Sequence, residues 1–459
     1  MTIERVVANG SVHQHGEFLP LDIALTDGRI VALGARGAFT AQRDTLDASG
    51  QLVFPGAIDS HFHARAPSHP ERETFASATT AAAAGGVTAI IEMPISEPPA
   101  INGAVLRARA RLAESEAVVD VGFYASCATL RPDDLESSIE AGALAFKAFL
   151  QQVPPGRESE FDGLCLPTNA DLLRAFELVR EYELPCVFHA EDEAMLKALE
   201  TRLRAEGRND GPAHAAHRPD YVEATSVGTL LLLAERFEVH LHVPHVSSRM
   251  TANLIRAAKS RGVRVTAETC PQYLQFDESA LERLGPYAKC NPPFKRPDDT
   301  LALWDALRDG TIDTVASDHS PFTVAEKDRG HENIWVAPPG FPGVEVLVPY
   351  LVSAALSGAI TFQRLEEVLF VNPSRIFGLW PRKGVIQPDA DADLLFYDTS
   401  SHEVFDHNTF RSKARDIGII WDGVPRQGTV TTTIFAGEVV FDGRDVIGRN
   451  GAGHTLMRA

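Results

Sequence analysis

Two histidines, His61 and His63, are the first residues of the chain whose types and spacing could perform chemistry. They follow the apolar run 53–58, which is typical of a short buried strand, so they lie where that strand ends. Side chains two residues apart in an extended segment share a face, so both imidazoles can point at one spot. Two converging imidazoles make half of a metal site, although the pair also fits one ring bonded in a core and the other in solvent.

Other residues of metal-ligating type end the later apolar runs. In chain order they are Lys147, His189, His242, His245, Asp318 and His319. If these runs are parallel strands of one barrel, their carboxyl ends meet at one mouth, where barrel enzymes place their chemistry. Such a set holds more ligands than a single zinc needs, so the pattern favours two metals.

Lys147 lies in a run of apolar residues, 146–150. One reading is an ordinary lysine whose stem is covered and whose ammonium reaches solvent. An ammonium buried beside metal cations would be strongly unfavourable, but a desolvated lysine is more readily neutral. A neutral amine can capture carbon dioxide and give an anionic carbamate that bridges two cations, and we expect that state here.

Asp318 ends the last run, where it could also cap a helix. At a barrel mouth beside histidines we assign it to the metal site, where it could accept a proton during attack by hydroxide and pass it to the departing nitrogen. His242 lies three residues before His245, so the two face opposite sides of an extended strand, and only His245 is kept as a ligand. His319 is expected to orient a ligand or contact substrate, and Asp59 to support the first histidine pair.

Eight strand-like runs, mostly separated by helical stretches, predict the elements that position these residues. The runs are 53–59, 87–93, 118–124, 144–150, 186–191, 239–246, 263–270 and 313–318. Strands that are buried on both faces and alternate with helices argue for an α/β fold with a parallel (β/α)8 barrel, the TIM barrel. An open doubly wound sheet is the alternative, but no Gly-x-Gly-x-x-Gly follows the first strand.

The two ends of the chain have a different rhythm of short strands and turns. Hairpin turns are predicted at Asn9-Gly10 and Asp27-Gly28, and strand-like runs return from residue 384. Neither end can bury a core well alone, so we expect residues 1–52 and 384–459 to form one small β-sandwich beside a barrel of residues 53–383. The last residues, 449–459, are expected to be loosely ordered or used in subunit contacts.

The composition excludes several classes of protein. A chain of 459 residues that is 44% hydrophobic can bury one large domain and a smaller companion. A net charge of -19 without any run of Lys or Arg disfavours a nucleic-acid partner. Without a leader-like start or an apolar run of 18 residues, we expect a soluble cytoplasmic protein with no membrane partner. The five cysteines form no Cys-x-x-Cys pair, which predicts reduced thiols.

Taken in order, the motifs resemble those of the cyclic amidohydrolases: hydantoinases, dihydropyrimidinases, allantoinases and dihydroorotases. The matching motifs are Pro-Gly-x-x-Asp-x-His-x-His at 55–63, Gly-Gly-Val-Thr at 85–88, Glu-Met-Pro at 92–94, Phe-Lys at 146–147, His-x-Glu at 189–191, His-Val-Ser-Ser at 245–248, Pro-Pro at 292–293 and Ser-Asp-His at 317–319. The resemblance runs over nearly the whole chain. It implies two divalent metals, most often Zn²⁺ with Mn²⁺ or Co²⁺ as alternatives, and a homo-oligomer, either a tetramer or a dimer.

The resemblance also implies how the ligands are divided. One metal would be held by His61, His63, Asp318 and the carbamate of Lys147, and the other by His189, His245 and the same carbamate. The implied reaction is hydrolysis of the ring amide of a cyclic ureide or imide, of the allantoin or hydantoin type, by a hydroxide that bridges the metals. Some relatives are catalytically silent scaffolds that have lost ligands, whereas all six positions are intact here.

The substrate within this group depends on a few further residues. Arg65 resembles the arginine with which dihydroorotases hold a substrate carboxylate, which makes an anionic pyrimidine ring the alternative substrate, although Ile95 stands where their asparagine is expected. A solvated loop arginine is the other reading of Arg65. The motifs at 91–99, 317–321 and 343–345 resemble allantoinases and L-hydantoinase-like enzymes most. Substrate contacts are expected from Arg65, Gln152, Asn291 and His319.

Overall fold

The computed structural model describes residues 2–459, which form 18 strands in three sheets and 16 α-helices. The strands are β1 (Arg5–Ala8), β2 (Ser11–Gln14), β3 (Glu17–Leu19), β4 (Leu21–Thr26), β5 (Arg29–Ala35), β6 (Asp44–Asp47), β7 (Leu52–Pro55), β8 (Ala57–Phe62), β9 (Val87–Glu92), β10 (Asp120–Ser126), β11 (Ala143–Phe149), β12 (Cys186–His189), β13 (Leu241–Val243), β14 (Val265–Thr269), β15 (Thr314–Val315), β16 (Leu394–Val404), β17 (Pro425–Phe435) and β18 (Glu438–Phe441). The helices are α1 (Phe75–Ala84), α2 (Gly103–Glu116), α3 (Pro132–Glu140), α4 (Glu158–Phe161), α5 (Asn169–Val179), α6 (Glu193–Ala205), α7 (Gly211–His217), α8 (Asp220–Phe237), α9 (Arg249–Ser260), α10 (Pro271–Gln275), α11 (Ser279–Leu284), α12 (Pro297–Arg308), α13 (Val324–Asp328), α14 (Val344–Leu356), α15 (Phe362–Glu366) and α16 (Asn372–Ile376).

Strands β8–β15 form a parallel sheet in which each strand pairs with the next one along the chain. Phe62, the last residue of β8, bridges His319 just after β15, and the amide of His63 donates to the carbonyl of His319 at 2.9 Å. These contacts close the sheet. The predicted (β/α)8 barrel is therefore confirmed, and the carboxyl ends of its strands meet at one mouth.

Burial on both faces explains why the barrel strands read as apolar runs. Every residue of β9, β10, β11 and β12 is buried. Capping side chains then begin the helices that follow the strands of the mouth. Thr74 accepts from the amide of Ser77 at the start of α1, and Ser248 accepts from the amide of Thr251 at the start of α9. Each cap fixes the point at which a loop of the mouth enters its helix.

The run 53–59, which the apolar pattern predicts to be one strand, is two strands in different sheets. Strand β7 pairs with β16 and β2, whereas β8 begins at Ala57 and pairs with β9. Gly56 lies between them, and a Cβ atom there would lie 2.1 Å from the hydroxyl of Thr88. The chain changes sheets at a residue that must lack a side chain, and an apolar pattern does not reveal such a point.

The two ends of the chain together form the sandwich. Strands β5, β4, β1 and β6 make a four-stranded sheet, and β18, β17, β16, β7, β2 and β3 make a six-stranded sheet. One hydrophobic core joins them, since Val12 and Ile23 cluster with Leu394, Phe396 and Ile434. The predicted β-sandwich from both termini is therefore confirmed.

Of the two predicted hairpin turns, only the one at 27–28 joins paired strands, β4 and β5. The turn at 9–10 carries the chain from β1 in one sheet to β2 in the other, and β2 instead forms a hairpin with β3 through residues 15–16. The strand predicted at 384–386 is wrong, because these residues form bends and Gly384 has a left-handed φ of 78°. A local turn signal does not say which sheet the next strand will join.

Lys383 fastens the barrel to the sandwich. Its buried ammonium lies 2.7 Å from Asp120 at the start of β10, 2.6 Å from Asp393 just before β16 and 3.0 Å from Asp391. Burial alone would lower the pKa of Lys383, but the three carboxylates raise it above its ordinary value. The two parts of the chain therefore share one buried ionic cluster.

Residues 449–459 pack against the amino-terminal end of the barrel. Thr455 bridges Val121, and the fully buried Leu456 clusters with Ile58, Tyr124 and Phe377. The expectation of loose order is therefore wrong, because main-chain hydrogen bonds and a buried leucine hold this segment. Within the described chain, none of the helices has the length and apolar character that a membrane span requires.

Candidate metal centre and active site

The six predicted ligands all lie at the mouth of the barrel. They are His61 in β8, His63 just after it, Lys147 in β11, His189 at the end of β12, His245 after β13 and Asp318 after β15. The side chains are buried, with Asp318 the most exposed at 13%. The parallel order of the barrel thus collects residues that are far apart in the sequence.

His61, His63 and Asp318 form one group, whose ligand atoms all lie within 4.8 Å of one another. The Nε2 atoms of both histidines are 3.4 Å from the same oxygen of Asp318. Burial lowers the pKa of His63 to about 3, so its ring is neutral and keeps a lone pair. Burial opposes ionisation of Asp318, but the two imidazoles hold its pKa below the ordinary value. The neutral ring of His63 and Nε2 of His61, both beside one carboxylate oxygen of Asp318, suit a divalent metal.

The role of Glu268 on β14 is not predicted by the sequence pattern. Its carboxylate accepts from Nδ1 of His61 at 2.8 Å and from the hydroxyl of Ser60 at 2.9 Å, and lies 3.6 Å from Nε2 of His242. Burial would raise the pKa of Glu268, but the two histidines hold it below its ordinary value. The ionised carboxylate leaves Nε2 of His61 free to bind a metal. The available signal was a charged residue inside the buried run 263–270.

Asp59 supports the turn that carries Asp318. Its carboxylate accepts from the amide of Ser317 at 3.0 Å and from the hydroxyl of Ser317 at 2.5 Å. Gln272 adds a bond from its side-chain amide to the carbonyl of Ser317 at 3.2 Å. Asp318 itself has a φ of 49°, a conformation that costs energy in a residue other than glycine. The bonds to Ser317 hold the backbone in this strained turn.

Lys147 has the environment that a reactive amine requires. Its side chain is 1% exposed, and its Nζ has no hydrogen-bond partner in the described chain. Burial lowers the pKa of Lys147 to about 8, even though Glu268 and Asp318 favour the ammonium. The charge of Lys147 also acts on His189 and His245. Lys147 therefore interacts electrostatically with candidate ligands of both groups.

His189 and His245 form the second group. Nδ1 of His189 lies 3.0 Å from Nε2 of His245, and burial lowers the pKa of both rings. The ring of His245 is 5.4 Å from that of His61, measured between centroids, so the two groups are adjacent. The two neutral nitrogens of His189 and His245, which face each other at 3.0 Å, can share a cation.

A second buried glutamate, Glu191, orients this group. Nε2 of His189 donates to its carboxylate at 3.0 Å, and the guanidinium of Arg218 donates to the same oxygen. Burial would raise the pKa of Glu191, but Arg218 and His189 hold it below the ordinary value. Glu223 on α8 accepts from the amide and hydroxyl of Ser247, which steadies the loop after His245. The sequence motif pointed to Glu191, but nothing in it pointed to Arg218 or Glu223.

Arg65 is 3% exposed, so the alternative of a solvated loop arginine is wrong. It donates to the hydroxyl of Ser320 at 3.0 Å, lies 3.5 Å from a carboxylate oxygen of Glu160 and covers the ring of Phe322 at 4.6 Å. Its Nε and Nη1 atoms have no hydrogen-bond partner within residues 2–459. Burial lowers the pKa of Arg65 to about 9. The guanidinium thus keeps unused donors inside the protein.

The other three expected substrate contacts lie in different surroundings. Gln152 is exposed in the loop after β11. Asn291 has a buried side-chain oxygen that lacks a partner in the part of the chain the structure describes. His319 is fully buried and stacks on Phe62, which favours its role in orienting neighbours over contact with substrate.

The donor set fits two divalent ions. One group offers Nε2 of His61, Nε2 of His63 and a carboxylate oxygen of Asp318 at one point. The other offers the facing nitrogens of His189 and His245. The buried Nζ of Lys147 has no hydrogen-bond partner in the described residues, and its carbamate would supply the anion that two cations require. Buried neutral nitrogens and a buried amine without partners are otherwise costly to retain.

Several known proteins match this chain over nearly their whole lengths. Residues 52–440 match the family model described as the amidohydrolase family. The chain is 32% identical to the L-hydantoinase of Paenarthrobacter aurescens, with 95% of this chain and 94% of that protein covered. It is 33% identical to the allantoinase of Rubrobacter xylanophilus, with 96% and 95% covered. The solved L-hydantoinase (dihydropyrimidinase) from Arthrobacter aurescens superimposes with a TM-score of 0.94 at 30% identity, covering 100% of both chains.

The family match spans most of the chain, and the relatives share both its fold and its length. The barrel mouth holds all six ligand positions of the expected centre in a buried arrangement. The chain therefore belongs to the amidohydrolase family, as a hydrolase of its cyclic amidohydrolase group.

Proposed function

We propose that the protein is a metal-dependent hydrolase that opens the ring amide of a cyclic ureide or imide, of the allantoin or hydantoin type, to give the ring-opened carbamoyl acid. The observation that carries the proposal is the pair of ligand groups at the mouth, one of His61, His63 and Asp318 and the other of His189 and His245, with the unpartnered amine of Lys147 among them. The names of the relatives support the class of substrate.

Two divalent ions, most often zinc in such sites with manganese or cobalt as alternatives, complete this proposal. His61, His63 and Asp318 would hold one, His189 and His245 the other, and the carbamate of Lys147 both. Bound in this way, the ions would polarise the ring carbonyl and make hydroxide available near neutral pH.

Asp318 is the catalytic residue of the proposal. Its pKa is held below the ordinary value, so its carboxylate is ionised and able to accept a proton. As the oxygen of water bonds to the ring carbonyl carbon, Asp318 takes the proton, and as the carbon–nitrogen bond breaks it delivers that proton to the departing ring nitrogen. The strained turn and its bonds to Asp59 keep the carboxylate in place for both transfers.

A hydrolysis panel tests this function. Purified enzyme loaded with zinc, manganese or cobalt is assayed on allantoin, hydantoin, dihydrouracil and dihydroorotate, with ring opening followed by chromatography of the product. We expect turnover of allantoin or a hydantoin. Failure to open any of the four rings with any of the three metals would refute the proposal.

Arg65 gives specific support to a second candidate, a dihydroorotase-type hydrolase of an anionic pyrimidine ring. Its Nε has no hydrogen-bond partner in the described residues, and its Nη1 has only an ion pair with Glu160 at 3.5 Å, so both could receive a substrate carboxylate. Under this candidate, Arg65→Met abolishes turnover of dihydroorotate and spares neutral hydantoins. Arg72→Met is the matched control, because Arg72 lies over the same Phe322 ring but is already paired with Glu326. Equal losses on both substrates in Arg65→Met would argue against the clamp.

The remaining expectations concern the setting of the enzyme. A homo-oligomer, either a tetramer or a dimer, stays part of the proposal, and light scattering on the purified protein measures it directly. The cytoplasmic location stays a prediction that fractionation of cells would test.

A further inference from the structure

His319 holds the turn that carries Asp318 through both its backbone and its ring. Its amide donates to the hydroxyl of Ser317 at 2.9 Å, and its carbonyl accepts from the amide of His63 at 2.9 Å. Its ring stacks on Phe62 with centroids 4.6 Å apart and an angle of 7° between the planes. A rotation of His319 would therefore displace Asp318 and His63 together.

The hydrogen bonds to His319 determine which ring nitrogen carries the proton. The amides of Gly343 and Val344 point at Nδ1 from 3.3 and 3.4 Å. Because Nδ1 accepts, the neutral ring carries its proton on Nε2. Nε2 lacks a hydrogen-bond partner in the described residues, and a carboxylate oxygen of Glu73 lies 3.6 Å from it.

Glu73 lies immediately before the cap of α1 and is fully buried. The oxygen that faces His319 also accepts from the hydroxyl of Ser412 at 2.8 Å, and the other oxygen lies 3.3 Å from the amide of Lys413. A buried carboxylate is tolerated only when such donors surround it. Ser412 and Lys413 follow β16, so the carboxylate of Glu73 joins the C-terminal part of the chain to the mouth of the barrel.

We propose that Glu73 is a positioning residue, which orients His319 and thereby holds the Asp318 turn, and that residues 410–414 keep its carboxylate in place. The kinetic part of this inference rests on the function proposed above. A left-handed aspartate persists only where its surroundings determine its conformation, and the ring of His319 is one of the groups that do so. The C-terminal segment would thus contribute to the site without reaching it.

The test compares two glutamates that hold the same segment. Glu345 accepts from the amides of Arg411 and Ser412, but its carboxylate makes no hydrogen bond or ion pair with His319 among the described residues. Glu73→Gln removes the negative charge that faces Nε2 of His319 and leaves one oxygen for the donors around it, whereas Glu345→Gln weakens the bonds to the amides of Arg411 and Ser412 and leaves the carboxylate of Glu73 in place. Each variant is assayed for kcat and KM on the best substrate of the panel, and by hydrogen exchange with mass spectrometry.

We expect Glu73→Gln to lower kcat about tenfold with KM within about twofold, a loss in the range seen when a group that orients a ligand is removed. It should also speed exchange in residues 57–66 and 317–323, which contain the amides of His63 and His319. Glu345→Gln should speed exchange mainly near residues 410–414 and lower kcat less than about threefold, because the carboxylate of Glu73 and the hydroxyl of Ser412 both remain. Unchanged kcat in Glu73→Gln, or equal losses in the two variants, would overturn the inference.

A milder variant covers the case in which Glu73→Gln does not fold. Ser412→Ala removes the hydroxyl that donates to Glu73 and accepts from the amide of Ala414, and we expect kcat to fall about threefold with faster exchange in residues 57–66. No change in either quantity would also overturn the inference. Hydrogen exchange needs neither substrate nor turnover, so it tests the role of Glu73 even if the enzyme opens none of the rings in the panel.

Discussion

His61 and His189 each place one ring nitrogen against a buried glutamate, but different parts of the chain hold the two glutamates. Glu268 lies on barrel strand β14 and also bonds Ser60 on β8, so the support of His61 is built within the barrel. Glu191 lies in the loop after β12 and is held by Arg218, which lies between α7 and α8. The first group is therefore fixed when the barrel closes, whereas the second also depends on the folding of helices α6–α8, which follow β12.

The largest effect should come from Asp318 in the first group. Asp318→Asn removes the proton acceptor, and we expect kcat to fall about a thousandfold, within the range for loss of general acid–base catalysis. The measurement is the initial rate of ring opening at saturating substrate, with metal content determined on the same sample. Loss of less than tenfold would mean that another group moves the proton.

In the proposed function Lys147 serves both groups, so its carbamate should control the binding of both metal ions. The pKa of Lys147 is lowered from 10.5 to about 8, so the neutral amine increases as the pH rises through that value. From pH 6 to pH 8 the neutral fraction grows from about 1% to about half. At a fixed pressure of carbon dioxide, metal-free enzyme should therefore regain activity with zinc about fiftyfold faster at pH 8.

Lys147→Arg is the control for this experiment, since a guanidinium is not deprotonated in this range. It should stay inactive at both pH values. If the wild-type enzyme regained activity at a rate that did not depend on the carbon dioxide pressure, no carbamate would be needed.

The comparison between the two supports is sharpened by Glu268→Gln and Arg218→Met. Glu268→Gln should weaken zinc binding about thirtyfold, because the orienting carboxylate of His61 is lost. Arg218→Met should weaken zinc binding only about tenfold but lower the free energy of unfolding by about 3 kcal/mol, since Glu191 stays buried without its cation. Competition with a chelator and denaturant unfolding measure the two quantities. If Arg218→Met weakened zinc binding more than Glu268→Gln, the support of His189 would matter more for metal binding than the support of His61.

His242 should give the smallest effect. It was excluded as a ligand, and its Nδ1 lies 2.9 Å from the hydroxyl of Thr266 while its Nε2 faces Glu268. His242→Asn keeps the first contact and removes the second, so we expect kcat to change less than about threefold with two zinc ions retained per chain. Loss of one zinc would make His242 a ligand.

The sequence pattern predicted the barrel and brought the six candidate ligands to one mouth, because each candidate lies near the end of an apolar run. A strand end is a local property, and the parallel barrel brings such ends together without further information. Glu268 lies inside the predicted strand 263–270 and not at its end, so the strand-end pattern does not include it, although a carboxylate within a buried strand must have a partner. A role for Glu268 can thus be predicted from the sequence.

Other features depend on contacts that no local pattern contains. Arg218 lies in an irregular stretch between α7 and α8, and it reaches Glu191 only when these helices are folded against the barrel. Gly56 marks a change of sheet that depends on the close approach of Thr88. The C-terminal segment looked loose because its single buried anchor, Leu456, gives no periodic signal. Such features follow from packing between distant parts of the chain.

The six-stranded sheet has a consequence for synthesis of the protein. Strands β2 and β7 are made first, yet β7 pairs with β16, which leaves the ribosome only after the whole barrel has been translated. At usual rates of translation this interval lasts on the order of tens of seconds. During that time the edge of β7 is open to pairing with other chains. We therefore expect the yield of folded enzyme to depend on low temperature or chaperones during synthesis more than on the stability of the finished barrel.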